Sequence, residues 1–124
     1  MALKRVGAPT LRKKILARAT VVKSQFVLDG LDEVLRLAVL SRNYFVHGGG
    51  ESLDYAAVEP FTVFLTETLE FVFAAAELIE CGWDGAEWKR RPHTARHWFS
   101  RYLSGYSGDA RQLLLACGKT PKIG

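Results

Sequence analysis

The chain has 124 residues, which is enough for one domain with a single hydrophobic core, so we expect residues 1–124 to form one domain. Apolar residues make up 48% and charged residues 24%, the balance of an ordinary globular protein, which excludes a disordered or fibrous chain. The formal net charge of +4 is mildly basic: it favours an anionic partner, although solubility alone also accounts for such a charge.

The first predicted helix runs from Leu11 to about Lys23, where apolar residues recur at helical spacing and basic residues lie opposite. Thr10, directly after Pro9, is a candidate N-cap for this helix. Because β-branched residues follow, a short extended segment within residues 23–28 is an alternative for that stretch. No other part of the sequence alternates as a strand does.

The second predicted helix runs from Asp29, a candidate cap, to about His47. Asp32 and Glu33 fall in its first turn, where the helix dipole favours acidic side chains. Its apolar residues form two stripes, which is typical of a helix at the centre of a bundle or at a subunit interface. The stripes consist of Leu31, Val34, Leu35 and Ala38, and of Leu37, Leu40 and Tyr44. Three glycines at positions 48–50 are predicted to end the helix.

A third, long helix is predicted from Glu59-Pro60 to Gly82, with the proline in an acceptable first-turn position. One or two shorter helices follow, around residues 94–103 and 109–116, and residues 118–124 are expected to form a loose tail. The sequence therefore predicts an all-α fold, a bundle of four or five helices.

The cysteine content and the apolar stretches bear on the compartment. Cys81 and Cys117 are far apart in sequence and provide no disulfide framework, which favours a reducing environment. No apolar run follows the basic residues Lys4 and Arg5 as a signal peptide requires. The most apolar stretch, residues 71–76, is far too short to span a bilayer. We therefore expect a cytoplasmic protein that does not associate with membranes.

Arg42 and His47 are the candidate catalytic pair. Arg42 lies four positions after Ala38, on an apolar stripe, where a charge requires an anion, a partner or a cleft. His47 precedes the three glycines, which would allow a phosphate backbone to approach closely. Positions five apart on a regular helix differ by about 140° in direction and by roughly 7.5 Å in height. The pair can therefore share a substrate only if the last turn unwinds or if the site forms between two copies of the chain.

These two residue types suit RNA cleavage by attack of a ribose 2′-hydroxyl on the adjacent phosphate. Histidine titrates near neutrality and serves as base or acid, and arginine offers a permanent forked charge to phosphate oxygens. The products would be a cyclic 2′,3′-phosphate and a 5′-hydroxyl, and no metal or other cofactor is required. The structural alternative is that Arg42 caps or pairs within the bundle and that His47 is a helix-terminal cation favoured by the dipole.

The segment Arg-Asn-Tyr-Phe-Val-His-Gly at residues 42–48 resembles the signature of HEPN domains, in which a histidine follows an arginine after four to six residues. A loop and a long apolar helix that ends Ala-Glu-Leu-Ile-Glu-Cys-Gly at residues 76–82 add to the resemblance. It covers about residues 28–83 and is greatest to the HEPN domain of ApeA-like antiphage proteins.

The resemblance implies that Arg42 and His47 are catalytic, that Asn43 orients one of them, and that the protein is a homodimer with a composite active site. It also implies an endoribonuclease that acts in phage defence or as a toxin. Two alternatives remain open at this point. One is a non-catalytic HEPN module that binds RNA, nucleotide or a partner protein through the same cleft. The other is a toxin controlled by a separate antitoxin or sensor protein.

A second group of residues combines basic and aromatic side chains over residues 88–102, a pattern that allows bases to stack while cations hold phosphates. The residues expected to contact RNA are Lys89, Arg90, Arg91, Arg96, His97, Arg101 and, from the glycine segment, Gly48. Alternatively, the aromatic residues pack on the bundle and the basic ones are merely solvated. His93 and His97 are spaced to share a helix face, but no third ligand lies nearby, so no metal site is predicted.

Overall fold

The structure is a computed structural model that describes residues 11–47, 54–91 and 97–118, and for residues 45–47 it describes the backbone alone. Helices form in the order α1 (Leu11–Lys23), α2 (Leu31–His47), α3 (Tyr55–Val58), a 3₁₀ turn (Glu59–Phe61), α4 (Thr62–Glu80), α5 (Gly85–Arg90) and α6 (Trp98–Ala116). No strand occurs in these ranges, residues 23–28 included, and the predicted all-α bundle is confirmed.

Helices α1, α2 and α4 pack against one another, and α6 lies across α2, α3 and α4. Tyr102 contacts Thr68 and Tyr106 contacts Phe64, so α4 and α6 run antiparallel. All four long helices contribute to one core. Its largest fully buried side chains are Ile15, Val22, Leu31, Val34, Leu35, Val58, Thr68, Phe71, Val72 and Leu113.

Aromatic side chains fill one end of this core around Phe71, which is completely buried. The Phe71 ring centroid lies 4.9 Å from that of Phe99, 4.9 Å from that of Tyr102 and 5.7 Å from that of Phe26. Edge-to-face and offset pairs at these separations stabilise a fold beyond the burial of their area. This cluster connects α4 to α6 and to the segment that follows α1.

The first two helices agree closely with their predicted bounds, and the start of α2 refines the prediction. The helix begins at Leu31, directly after Gly30, whose φ of +76° favours glycine. Asp29, the predicted cap, lies one residue earlier, and its carbonyl oxygen accepts a hydrogen bond of 2.8 Å from the Tyr106 hydroxyl. Asp32 occupies the first turn of α2, as predicted.

The third predicted helix divides into several pieces. Pro60 lies in the 3₁₀ turn, and the long helix α4 starts only at Thr62. The short helix α3 was not predicted, although Asp54 caps it by accepting a hydrogen bond from the Ala57 amide. Helix α5 was also missed, and it is capped in the same way by Asp84. In both cases one turn of helix lacks the apolar periodicity on which the sequence prediction depended.

Of the one or two shorter helices predicted around residues 94–103 and 109–116, the structure has one, because residues 98–116 form the single, longer helix α6. Gly105 and Gly108 do not interrupt it. The buried residues Tyr102, Tyr106 and Ala110 continue at helical spacing through this stretch, so packing outweighs the poor helix propensity of glycine.

Some expectations fall on residues outside the described ranges: the Thr10 cap, the glycines at 48–50, and the tail except Gly118. Across the described residues, every helix is too short or too polar to cross a membrane.

Candidate active site

Helix α2 carries the candidate site and occupies the centre of the bundle. It packs against α1, α3, α4 and α6. The first predicted stripe is fully buried, and on the second Leu37 is buried, Leu40 is half-buried and Tyr44 is exposed. The interpretation of two apolar faces as a central position is therefore confirmed.

The Arg42 side chain leaves this core. It is exposed, whereas Ala38 and Ser41, which precede it on α2, are buried. The apolar stripe thus ends one turn earlier than the spacing predicted. Within the described residues, the Arg42 guanidinium forms neither an ion pair nor a hydrogen bond, and no glutamate of α4 neutralises it. By contrast, Arg36 on the same helix is bound to Glu33 at 2.6 Å.

A groove of about 370 Å³ opens between α2 and α4, and Arg42 lies on its wall. We call it the α2/α4 groove. Its apolar floor consists of Ala38, Leu65 and Leu69. Its polar lining residues are Ser41, Arg42, Thr62, Thr66 and Glu70. A concave surface with a few polar groups above an apolar floor is typical of small-molecule and substrate sites. Among the described residues, none of the basic side chains predicted to bind RNA lines it.

Tyr44 fixes the end of α2 against α3. Its ring stacks on Tyr55, with centroids 4.6 Å apart and planes at 9°. A stack of this kind contributes about 0.5–1.5 kcal/mol beyond the area that it buries. Asn43, between Arg42 and Tyr44, is half-buried. The backbone of α2 stays helical to His47, so positions 42 and 47 retain the wide angular separation of a regular helix. The side chain of His47 lies outside the described part.

A comparison with protein-family models supplies the deciding observation. The model described as Apea-like HEPN matches residues 2–87, well over half of the chain. The chain belongs to the Apea-like HEPN family. The match includes the whole of α1 to α4 and extends further towards the N-terminus than the resemblance found in the sequence. Comparisons with curated proteins and with solved structures returned no match.

Membership of this family identifies the chain as a HEPN domain. HEPN domains are commonly ribonucleases, and the matched span contains both Arg42 and His47. The long helix α6, which closes one side of the core, lies outside the match. The match therefore covers both helices that line the α2/α4 groove.

The second group of predicted RNA contacts lies elsewhere on the HEPN domain and is largely engaged within the protein. Arg90 and Arg91 both bind the Glu87 carboxylate, and their hydrogen bonds lower the pKa of Glu87 below its usual value. Arg101 lies 3.6 Å from Glu67. Lys89 is exposed on α5, and Arg96 and Gly48 lie outside the described residues.

His97 precedes α6 and caps it, and His93, with which it was expected to share a helix face, lies outside the described residues. The Nδ1 of His97 accepts a hydrogen bond of 3.2 Å from the Phe99 amide. The neighbouring aromatic residues follow the structural alternative: Phe99 is buried and Trp98 packs against the core. In the part of the HEPN domain that the structure describes, no three histidine, cysteine or acidic side chains lie together as metal ligands would.

Sequence reasoning missed four polar residues of the α2/α4 groove: Ser41, Thr62, Thr66 and Glu70. In the sequence, Glu70 is one of several glutamates of a long amphipathic helix. Nothing in the sequence separates it from Glu77 or Glu80. Only the packing of α2 on α4 places Glu70 in the same groove as Arg42.

Proposed function

We propose that this domain is a metal-independent endoribonuclease in which Arg42, His47 and Asn43 form the active site. The main support for this proposal is the environment of the Arg42 side chain. Its guanidinium is exposed beside a groove, without an anionic partner among the described residues, on the helix that ends at His47. A planar, permanently charged group in this state is suited to bind phosphate oxygens.

The proposed reaction is an internal transfer of the phosphate. A neutral His47 imidazole takes the proton of the ribose 2′-hydroxyl, and the 2′-oxygen attacks the adjacent phosphorus. The bond from phosphorus to the 5′-oxygen of the next nucleotide breaks, and a protonated imidazole gives that oxygen a proton. Arg42 stabilises the negative charge that builds up on the phosphorane, and Asn43 orients one of the two. The products are a cyclic 2′,3′-phosphate and a 5′-hydroxyl.

We further propose that the site is composite and belongs to a homodimer. The reaction requires one imidazole as base and a second as acid, and a two-fold dimer supplies both from His47 of each chain. The continuous helix at the end of α2 supports this arrangement over an unwound last turn, because positions 42 and 47 diverge on one helix.

The family suggests the biological setting. We propose that the domain cleaves RNA in the cytoplasm as part of phage defence or as a toxin, under the control of an antitoxin or sensor protein. The basic side chains at Lys89, Arg96 and Arg101 would then contact the RNA away from the cleaved bond.

The test is cleavage of a labelled single-stranded RNA in the presence of a chelator. Wild type is compared with Arg42→Ala, His47→Ala and Arg111→Ala; Arg111 is an exposed arginine on α6 that controls for the loss of one positive charge. We expect cyclic phosphate ends from the wild type, a loss of about 100-fold or more for the first two variants, and no loss for the control. Thermal melts establish that each variant is folded.

Adding excess His47→Ala protein to the wild type tests the composite site. Mixed dimers would lack one imidazole, so wild-type activity should fall as they form; independent sites would leave it unchanged. If no protein cleaves RNA, or if all variants cleave alike, the nuclease proposal is wrong. A non-catalytic HEPN module that binds RNA, nucleotide or a partner protein then becomes the better account.

A further inference from the structure

The α2/α4 groove contains polar groups that the proposed reaction does not use. Glu70 is exposed on the groove wall and forms no ion pair with the described residues, although Arg42 lines the same groove. Two other glutamates on α4 are engaged: Glu77 binds Arg18 at 3.1 Å, and Glu67 lies 3.6 Å from Arg101. Glu80 forms no ion pair with the described residues either, but it does not line the groove. The groove therefore holds one cation and one carboxylate, each without a partner in this part of the chain.

Two hydroxyl groups lie with them. Ser41 and Thr66 line the groove, and their side chains form no hydrogen bond with the described residues. The third hydroxyl of the lining, that of Thr62, donates instead to the Glu59 carbonyl oxygen at 2.8 Å. Below these groups lies an apolar floor that includes Leu65 and Leu69. The groove thus offers a flat ligand an apolar surface and several polar atoms with free hydrogen-bonding capacity.

We propose that the α2/α4 groove binds the nucleotide beside the cleaved phosphate and that Glu70 selects guanine there. This inference rests on the proposed function, because it takes Arg42 as the phosphate contact. A carboxylate only accepts hydrogen bonds, and guanine is the base whose Watson–Crick edge presents two adjacent N–H donors, N1–H and the exocyclic amine. Adenine, cytosine and uracil each place an acceptor next to their N–H donor, so a carboxylate satisfies them less well.

The charges of the groove explain why phosphate and base would occupy fixed positions. The phosphate is drawn to Arg42 and repelled by Glu70, whereas the donor edge of guanine is matched to Glu70. Arg42 and Glu70 lie on α2 and α4, which pack directly against each other, and this packing fixes the separation of the two residues. Ser41 and Thr66 line the same groove and offer further donors or acceptors for the ribose or the base. We expect the contact with the phosphate to determine the binding affinity and the contact with Glu70 to determine the base preference.

Binding of the four nucleoside 3′-monophosphates tests the inference without requiring cleavage. Isothermal titration calorimetry compares wild type with Glu70→Gln, Arg42→Ala and Glu80→Gln, a matched exposed glutamate on the same helix that does not line the groove. We expect wild type and Glu80→Gln to prefer the guanosine nucleotide by about tenfold. Glu70→Gln should remove this preference, and the other three affinities should not fall, because the variant also relieves the repulsion between Glu70 and the phosphate. Arg42→Ala should weaken all four about equally.

Cleavage patterns give a second readout. Wild type and Glu80→Gln should cut mixed-sequence RNA next to guanine, and Glu70→Gln should cut without that preference. If RNA is cleaved but Glu70→Gln shows the wild-type pattern, the groove inference fails while the nuclease proposal stands. If no RNA is cleaved but the guanosine preference depends on Glu70, the nuclease proposal fails and the groove remains a nucleotide site. A Glu70→Gln protein with altered dimerisation and unaltered nucleotide binding would show that a second copy occupies the groove, and would overturn the inference.

Discussion

Replacing two glycines by alanine, one at a time, should have opposite effects on stability. Gly108 lies inside α6 with a negative φ, and a Cβ added there meets no atom within 4 Å. Gly85 is the first residue of α5, and its added Cβ would lie 2.7 and 2.8 Å from two ring carbons of Phe26. One substitution gains helix propensity in open space, and the other forces an overlap.

The packing around each site sets the magnitudes. Alanine inside a helix is more stable than glycine by about 0.5–1 kcal/mol, which is the expected gain for Gly108→Ala. Phe26 is 2% exposed and held between Phe71 and Trp83, so its ring has little room to move. Overpacking of such a site costs about 1–3 kcal/mol, which is the expected loss for Gly85→Ala.

Thermal unfolding followed by circular dichroism measures both effects. A change of 1 kcal/mol corresponds to roughly 4 °C in Tm for a domain of this size, so the two variants should differ by about 6–16 °C. Urea unfolding at fixed temperature provides the free energies directly. A Tm for Gly108→Ala that is equal to or below that of the wild type would refute the continuous helix α6. An unchanged Tm for Gly85→Ala would refute the close approach of α5 to Phe26.

Two further predictions concern a buried hydrogen bond and a surface carboxylate. The Thr68 hydroxyl donates to a main-chain carbonyl oxygen, so the Tyr102 hydroxyl is the donor in its 2.7 Å hydrogen bond with Thr68. Tyr102→Phe should therefore lower the free energy of unfolding, measured by urea titration, by about 1 kcal/mol. A variant as stable as the wild type would mean that this hydrogen bond contributes nothing. Hydrogen bonds lower the pKa of Glu87, the one from Arg90 having the largest effect and the one from Arg91 the next largest. The ionised Glu87 carboxylate therefore stabilises the fold above the usual carboxyl pKa, and this contribution is lost as the pH falls through the lowered pKa. In NMR titrations, Arg90→Ala should move the Glu87 midpoint upwards; a midpoint that stays in place would show that this arginine is not the main cause.

Most of the fold could be predicted from the spacing of apolar residues. The bounds of α1 and the end of α2 agree with the predictions, because a long amphipathic segment has a strong period and clear end signals. The short helices α3 and α5 were not predicted, because one or two turns contain too few apolar residues to show a helical period. The sequence prediction left open whether α6 is one helix or two, since the row of buried residues that spans Gly105 and Gly108 depends on packing and not on local propensity.

The candidate site was predictable only in part. Arg42, Asn43 and His47 could be found from a local pattern and its resemblance to a family, because all three lie within one short segment. Glu70 could not be found in this way, since it lies far along the chain and looks like any solvent-exposed glutamate of an amphipathic helix.

The sequence by itself determined the helical class, the central position of α2 and the family, because these follow from periodicity and from residues that are close in the chain. Only the tertiary structure decided that Arg42 leaves the core to face a groove, that Glu70 lines the same groove, and that α6 is continuous. The physical reason is that each of these depends on which helix faces pack together. That choice minimises the free energy of the whole bundle, and no local segment of the sequence contains it.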